Sequence, residues 1–410
     1  MVILLFLLFT SIITISYSSP LPITGSSNNN VSLLHRRTLT GSCGTGNPVD
    51  DCWRCDPSWA DNRQRLADCA IGFGRNAIGG KNGRIYVVTD PRDDDPARPC
   101  PGTLRYGLAQ DEPLWIVFDR DMTIRPKQEL LVSSHKTVDG RGASIVVGEG
   151  GACFTLRNVS NVIIHGITIR NCRPARKKAT GCSQMSDGDG VSVTRSRDVW
   201  IDRCSLEACA DGLVDVIESS TAVTVSNSLF TNHDKAMLLG HNDAFSDDRG
   251  MRVTVAFNRF GPGLVQRMPR CRFGVFHVVN NDYVNWEKYA IGGSASPTIL
   301  SQGNRFYADK EKEVTKRDGN PPASEWRNWS WISDGDLMLN GAFFRASGRP
   351  GPVVKAPSFA KSVSFVARMT ASAGALSCSK GTENSGYRSG IAIIRPVIKS
   401  LIMMGHLFLD

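Results

Sequence analysis

At 410 residues, 41% hydrophobic and 21% charged, the chain is long enough for one large or two ordinary domains, and its composition excludes an intrinsically disordered protein. Forty-eight Lys and Arg against 39 Asp and Glu leave a net charge of +9, which favours a polyanionic partner: nucleic acid, an anionic membrane surface or an acidic polysaccharide. Charge alone does not choose among them.

The first 19 residues, MVILLFLLFTSIITISYSS, are an apolar run closed by small residues, the pattern of a secretory signal peptide, although no Lys or Arg opens it. A membrane anchor is the competing reading. Residues 20–46 read as a flexible segment. Twelve cysteines, with Cys43, Cys52, Cys55, Cys69, Cys100 and Cys153 in the first 153 residues, point to disulfides in an oxidising compartment. Zinc is the rival at Cys52 and Cys55, but no second CxxC or paired His succeeds them. Residues 47–80, with Trp53, Trp59 and RQRLADCA, read as a disulfide-rich cap with a short helical stretch, expected over the open end of the domain C-terminal to it. Asn30, Asn158 and Asn328 each open an N-x-Ser sequon, the signature of a glycoprotein. The C-terminal segment 351–410 ends in an apolar stretch broken by Arg395, Pro396 and Lys399, which is unlike a transmembrane helix. A secreted, extracellular monomer with no nucleic-acid or stable membrane partner is expected.

Within residues 81–350, read as one domain, a pattern recurs between residues 160 and 306. Apolar octets start at Val162, Val199, Val223, Val253, Phe276 and Ile299, so successive starts lie 37, 24, 30, 23 and 23 residues apart. Each octet carries a second apolar residue seven positions on: Ile169, Leu206, Phe230, Phe260, Tyr283 and Phe306. Short β-branched runs followed by Asn, Asp or Gly read as strands with tight corners. A period in the twenties without helical spacing predicts an all-β solenoid, the right-handed parallel β-helix, over a β-sandwich or propeller. The two long intervals are expected as projecting loops that carry function. Residues 310–350 read as less regular packing against the outside.

Two acidic stretches stand one coil apart: SDGDG with Asp187 and Asp189, and ADGLVD with Asp211 and Asp215. On extended chain the members of each pair point the same way, and stacking gathers all four carboxylates on one face. Such hard oxygen ligands suit Ca²⁺; plain turn residues are the alternative. Lys235 and the cluster Arg267, Arg270 and Arg272 lie one to two coils further on. A cleft with a metal-loaded negative patch beside a positive one fits a polyanionic sugar chain.

The motifs NPVDDCWRCDPSW, NAIGGKNGRIYVVTD, PGTLRYG, TVDGRG, SDGDG, ADGLVD, DKAMLLGH, GLVQRMPRCRFG and NNDYVNWEKYAIGGS closely resemble those of the plant pectate lyases of polysaccharide lyase family 1, in order from about residue 47 to 345. The resemblance implies a right-handed parallel β-helix, bound Ca²⁺ and β-eliminative cleavage of de-esterified pectate in the plant cell wall. It places the calcium carboxylates on Asp187, Asp211 and Asp215, with Asp189 as a further ligand or neighbour. It places the catalytic arginine on Arg267 and substrate-binding cations on Lys235 and Arg272, and leaves Arg270 without a role. Guanidinium groups are protonated at neutral pH, so such a base needs neighbouring positive charge, and an alkaline optimum is expected.

The chain departs from the resemblance at Arg203 and Cys204, where the family usually carries His-Asn. Arg203 is expected to bring positive charge near the metal site and weaken calcium binding, and Cys204 and Cys209 to form a disulfide or stay free. Pectin lyase and a non-catalytic wall-binding protein are the competing functions.

Overall fold

The computed structural model describes residues 44–175, 187–348 and 359–376. The expected signal peptide, most of the 20–46 segment with its Asn30 sequon, and the apolar C-terminal end lie outside these residues.

Among the described residues the chain winds through three parallel sheets of ten, nine and eight strands. One coil runs from Arg197–Asp202 in the first sheet to Ser205–Glu207 in the second and Val214–Ile217 in the third, then returns to Thr221–Ser226. The octet starts stack in the first sheet: Val162 pairs with Val199, Val199 with Val223, Val223 with Val253, Val253 with Phe276 and Phe276 with Ile299. Their seventh-position partners stack inside the second sheet from Ile169 through Leu206 and Phe230 to Phe306. The rings of Phe230, Phe260, Tyr283 and Phe306 succeed one another at 5.0, 4.7 and 4.5 Å, each pair contributing about 0.5–1.5 kcal/mol beyond its burial. This is the parallel β-helix expected from the repeat.

The corner between the first and second sheets recurs with one left-handed residue per coil: Gly166, Arg203, Asn227, Phe257, Asn280 and Gly303, with φ of 74°, 55°, 50°, 58°, 51° and 61°. After Asn227, Phe257, Asn280 and Gly303 the next residue is buried and its side-chain oxygen accepts from the coil before. Asn258, Asn281 and Asn304 form a ladder in which the backbone N–H of Asn258 donates to Asn281 Oδ1 at 2.9 Å and that of Asn281 to Asn304 Oδ1 at 2.8 Å. Their side-chain amides donate to Val225, Val255 and Val278 carbonyls, so these buried groups are satisfied. The ladder ends on Asp336, whose Oδ1 accepts from the Asn304 N–H at 2.7 Å and whose Oδ2 accepts from Ser301 and Ser333 hydroxyls at 2.6 Å.

Three expectations are corrected. The cap segment, stapled by a disulfide between Cys52 and Cys69, lies along the outer face of the first sheet, where Val49, Trp53, Leu66 and Ala77 pack on Trp115, Ile163 and Trp200. Cys52 is thereby excluded as a zinc ligand. The strands beneath are apolar on both faces, as in the fully buried Leu114–Phe118, and a sheet apolar on both faces needs cover on both. The end of the solenoid is closed instead by the helix Leu104–Ala109, which buries Leu104 and Leu108 in the main core. The residues expected to pack outside form another coil: Trp331 pairs with Ile299, and Met338 with Phe306.

Arg203 is the third correction. Its left-handed corner directs the side chain outward beneath the cap, where Nε donates to Asp50 Oδ1 at 3.0 Å and NH2 to Asp50 Oδ2. NH1 donates to the Ser372 carbonyl. Residues 359–376 run along the same outer face, burying Val366 and Met369 against Ala256, Phe257 and Val279. Arg203 is fully buried and joins the early helix Pro48–Trp53 to the late segment. Its partners are on the cap, so its charge is neutralised there. Cys204 and Cys209 are both free and buried; a further disulfide joins Cys153 to Cys172.

Candidate active site

The third sheet carries the site on its outer face. Its register puts Ser192, Asp215, Leu238, Arg270, Gly292 and Lys316 in one row across successive coils. Asp215 therefore lies two coils from Arg270. Asp187, Asp189 and Asp211 stand in the turns that lead into Val191–Thr194 and Val214–Ile217, so the alternation expected of strands does not apply to them. Asp187 is exposed, while Asp189 and Asp215 are each 8% exposed.

Gly212 makes room for this arrangement. A Cβ there would meet Asp215 Oδ1 at 2.1 Å and Asp189 Oδ1 at 3.2 Å, so two carboxylate oxygens close over one glycine. Asp189 Oδ1 accepts from the Gly212 N–H at 2.8 Å. Asp215 Oδ1 is buried with no hydrogen-bond partner, a costly state for a carboxylate. Burial pushes Asp189 up to about 7, aided by Asp211 and Asp187. Burial also holds Asp215 well above the usual carboxylate range, with Asp189 and Asp211 adding repulsion and Arg267 opposing it. A cation placed among these carboxylates would offset their mutual repulsion. The donors are hard oxygens, which fits Ca²⁺, although among the described residues no three acidic, His or Cys side chains close on a common point.

Lys235 Nζ lies 2.9 Å from Asp211 Oδ1. Its strand, His233–Lys235, pairs with Leu264–Gln266, so that Lys235 stands opposite the residue preceding Arg267. His233 Nε2 donates to the Asp211 carbonyl and pins that turn. The sequence singled out neither this two-stranded ribbon nor His233.

The arginine cluster divides by its partners. Arg272 Nε donates to Asp243 Oδ1 at 2.7 Å, and its NH1 to the carbonyls of Gly240 and His241 at 2.8 and 3.0 Å. Asp243 also accepts from Ser294 Oγ at 2.6 Å. Arg270 NH2 lies 2.6 Å from Asp318 Oδ2. Arg267 has no ion pair among the described residues, and its Nε is buried without a hydrogen-bond partner. The backbone around it is fastened nonetheless: its carbonyl accepts from the Met237 N–H at 2.7 Å, and the Met268 N–H donates to Ala290 at 2.7 Å. Burial, then Arg270, then Arg267 weaken proton binding by Arg272, which places the three cations side by side. Asp243 comes from the loop that lengthens one interval, and Asp318 from a later coil; no local signal in the sequence pairs either with its arginine.

The structure thus sets Asp187, Asp189, Asp211, Asp215, Lys235 and Arg267 within electrostatic reach of one another on neighbouring coils, without closing the acids on one point, and places Arg270 and Arg272 on the strand that follows Arg267. A family model for pectate lyase matches residues 122–350. A pectate lyase of Zinnia elegans is 57% identical over 92% of this chain and 98% of its own length. A probable pectate lyase of Arabidopsis thaliana is 56% identical over 86% of this chain and 85% of its own. Among solved structures, jun a 1, the major allergen from cedar pollen, is 46% identical with a TM-score of 0.77, over 80% of this chain and 99% of that one. With the β-helix and this likeness spanning most of its length, the chain belongs to the pectate lyase family and is a polysaccharide lyase.

Proposed function

We propose that the protein cleaves (1→4)-α-D-galacturonan, de-esterified pectin, by calcium-dependent β-elimination. The observation that carries the reading is the unpaired state of Arg267, whose charge acts on Asp215, a buried carboxylate with one oxygen, Oδ1, that has no hydrogen-bond partner: two of three clustered arginines are held by aspartates and the third is not. Asp187, Asp189, Asp211 and Asp215 would hold Ca²⁺, which when bound offsets negative charge developing on the galacturonate carboxylate. Lys235 and Arg272 bind substrate carboxylates, and Arg272 does so through NH2, since Nε and NH1 are already engaged.

Arg267 takes the C5 proton. The C5–H electron pair becomes the C4–C5 double bond, the C4–O bond breaks with its pair on the leaving oxygen, and that oxygen takes a proton from solvent. The products are a new reducing end and a 4-deoxy-α-D-galact-4-enuronosyl non-reducing end. Fixing both ends of the peptide group that follows Arg267 lowers the orientation cost of this transfer. Secretion to the plant cell wall accords with the disulfides and with Asn158 and Asn328 being exposed sequon residues. Among the described residues no helix is long and apolar enough to cross a membrane.

The test is an absorbance assay of unsaturated product from polygalacturonate and from highly methylated pectin, with calcium or a chelator. Calcium-dependent product from polygalacturonate is expected. Product only from methylated pectin without calcium, or binding with no product, would overturn the reading.

A further inference from the structure

We infer that Asp243 is a positioning residue that sets substrate specificity: it makes Arg272 a charge-offset, one-nitrogen contact that receives a galacturonate carboxyl group whether free or methyl-esterified. The inference rests on the reading above, in which Arg272 meets substrate. Cys271 lies in the core, so alternation puts Arg272 on the outer face of the third sheet. Gly240 lies against its stem: φ there is 110°, and a Cβ would meet Arg272 Cβ at 2.6 Å. From Gly240 the chain enters the loop that carries Asp243. Buried Asp248 fixes that loop by accepting from the His241 N–H at 2.6 Å and the Ser219 N–H at 2.7 Å. Asp243 Oδ1 thereby accepts both from Arg272 Nε at 2.7 Å and from Ser294 Oγ at 2.6 Å, and Ser294 stands opposite Arg272 in the sheet.

A guanidinium has five N–H groups in a fixed fork. Nε gives its one to Asp243, and NH1 gives its two to the Gly240 and His241 carbonyls at 2.8 and 3.0 Å. The two on NH2 remain for a ligand. Fork-on-fork recognition, which selects a carboxylate by both of its oxygens, needs a second nitrogen and is closed to this arginine. A single nitrogen donates to one oxygen, and an ester carbonyl supplies that as a carboxylate does. The Asp243 side chain, 60% exposed at the adjacent nitrogen, also offsets the cation and opposes a second anion beside it. Arg267, which has no ion pair among the described residues, keeps its charge undivided. Selection for the free acid therefore falls to Arg267 and not to Arg272.

The experiment measures kcat and KM on polygalacturonate and on randomly, partially methyl-esterified pectin, with thermal unfolding, for the parent, Asp243→Asn, Asp243→Ala and Arg272→Gln. Asp243→Asn keeps an oxygen for Nε and Ser294 but removes the charge. It is expected to widen the preference for polygalacturonate, as a ratio of kcat/KM values, by about five- to tenfold, because an uncompensated cation favours a carboxylate. Asp243→Ala removes the anchor as well, and KM on both polymers is expected to rise about tenfold with kcat changed less than about threefold. Arg272→Gln is expected to lower kcat/KM on the two polymers by factors within about twofold of each other. An unchanged ratio in Asp243→Asn at equal thermal stability would overturn the inference, as would unchanged KM values in Asp243→Ala. If neither Asp243 variant folds, Arg272→Gln decides: a loss confined to polygalacturonate overturns it. A parent that makes no product from either polymer sinks the lyase reading instead, and the same ratio is then read from calorimetric binding of the two polymers.

Discussion

Lys235 Nζ donates to Asp211 Oδ1 across 2.9 Å, so the cation proposed for substrate and an acid proposed for the metal are held as one ion pair. The two jobs are in competition for the same oxygen.

That pair makes Lys235→Gln informative. Without a competing cation, Asp211 is available to calcium, and the calcium Kd is expected to tighten about two- to fivefold, the range of a half-exposed pair. Turnover of polygalacturonate should fall in the same variant by about 10²-fold, because a charge-assisted contact is lost. Calorimetric calcium titration and initial rates measure the two effects; weaker calcium binding would contradict the competition.

Arg267→Lys keeps a cation but shortens and reshapes it. A drop in kcat of about 10²–10⁴-fold is expected, the usual worth of a positioned base. Thermal stability should be unchanged, since Arg267 makes no ion pair among the described residues whose loss would register.

Arg203→Ala tests the corrected position of that residue. Asp50, 1% exposed, keeps Arg54 at 3.0 Å but loses its buried partner. Breaking a buried pair from one side costs about 3–5 kcal/mol, to be read by urea denaturation. Calcium affinity should stay within about twofold, because distant, independent sites act additively. A large change in calcium affinity would restore the expectation that Arg203 acts on the metal site.

His277 gives a pH dependence remote from the site. It is fully buried in the first sheet, beside Phe359 of the late segment, with Nε2 3.1 Å from Gln302 Oε1. Burial lowers it from 6.5 to about 4. The unfolded chain takes up the proton first as pH falls, so the contribution is present above pH 6.5 and is lost on passing down through about 4. Stability should fall by up to about 3 kcal/mol over that window, and His277→Gln should flatten this part of the profile.

The stacking register was legible in the sequence because each coil packs on a copy of itself: residues that line the core must recur at the coil length. That is why the column from Val162 to Ile299 and the rings from Phe230 to Phe306 fall where their spacing predicts. The acidic and basic residues were legible as a group for the same reason. Their partners were not. Arg203 is eight residues before Asp211, yet a left-handed corner turns it toward the opposite side of the coil. Asp243 and Asp318 meet Arg272 and Arg270 from loops 29 and 48 residues away, as Arg272 less Asp243 and Asp318 less Arg270, and loop length carries no period to read. The placement of the cap did have a signal: LWIVF is apolar at every position, and a strand with no polar face cannot border solvent.

Among the described residues the ladder ends on Asp336, in the last coil of the solenoid. An Asn both receives from the coil before and gives to the structure around it, so a row of them can be prolonged indefinitely, whereas a carboxylate only receives. Ser301, Ser333 and Asn304 already supply Asp336 with its donors. Its side chain therefore lacks the amide that Asn258 and Asn281 donate to the next coil, and has no such donor for a further coil or for the end of a second molecule that would add to it as one more turn of the same spiral. Changing one oxygen to an amide, Asp336→Asn, therefore reopens the end of the row, and the property it would alter is whether these molecules remain separate at high concentration.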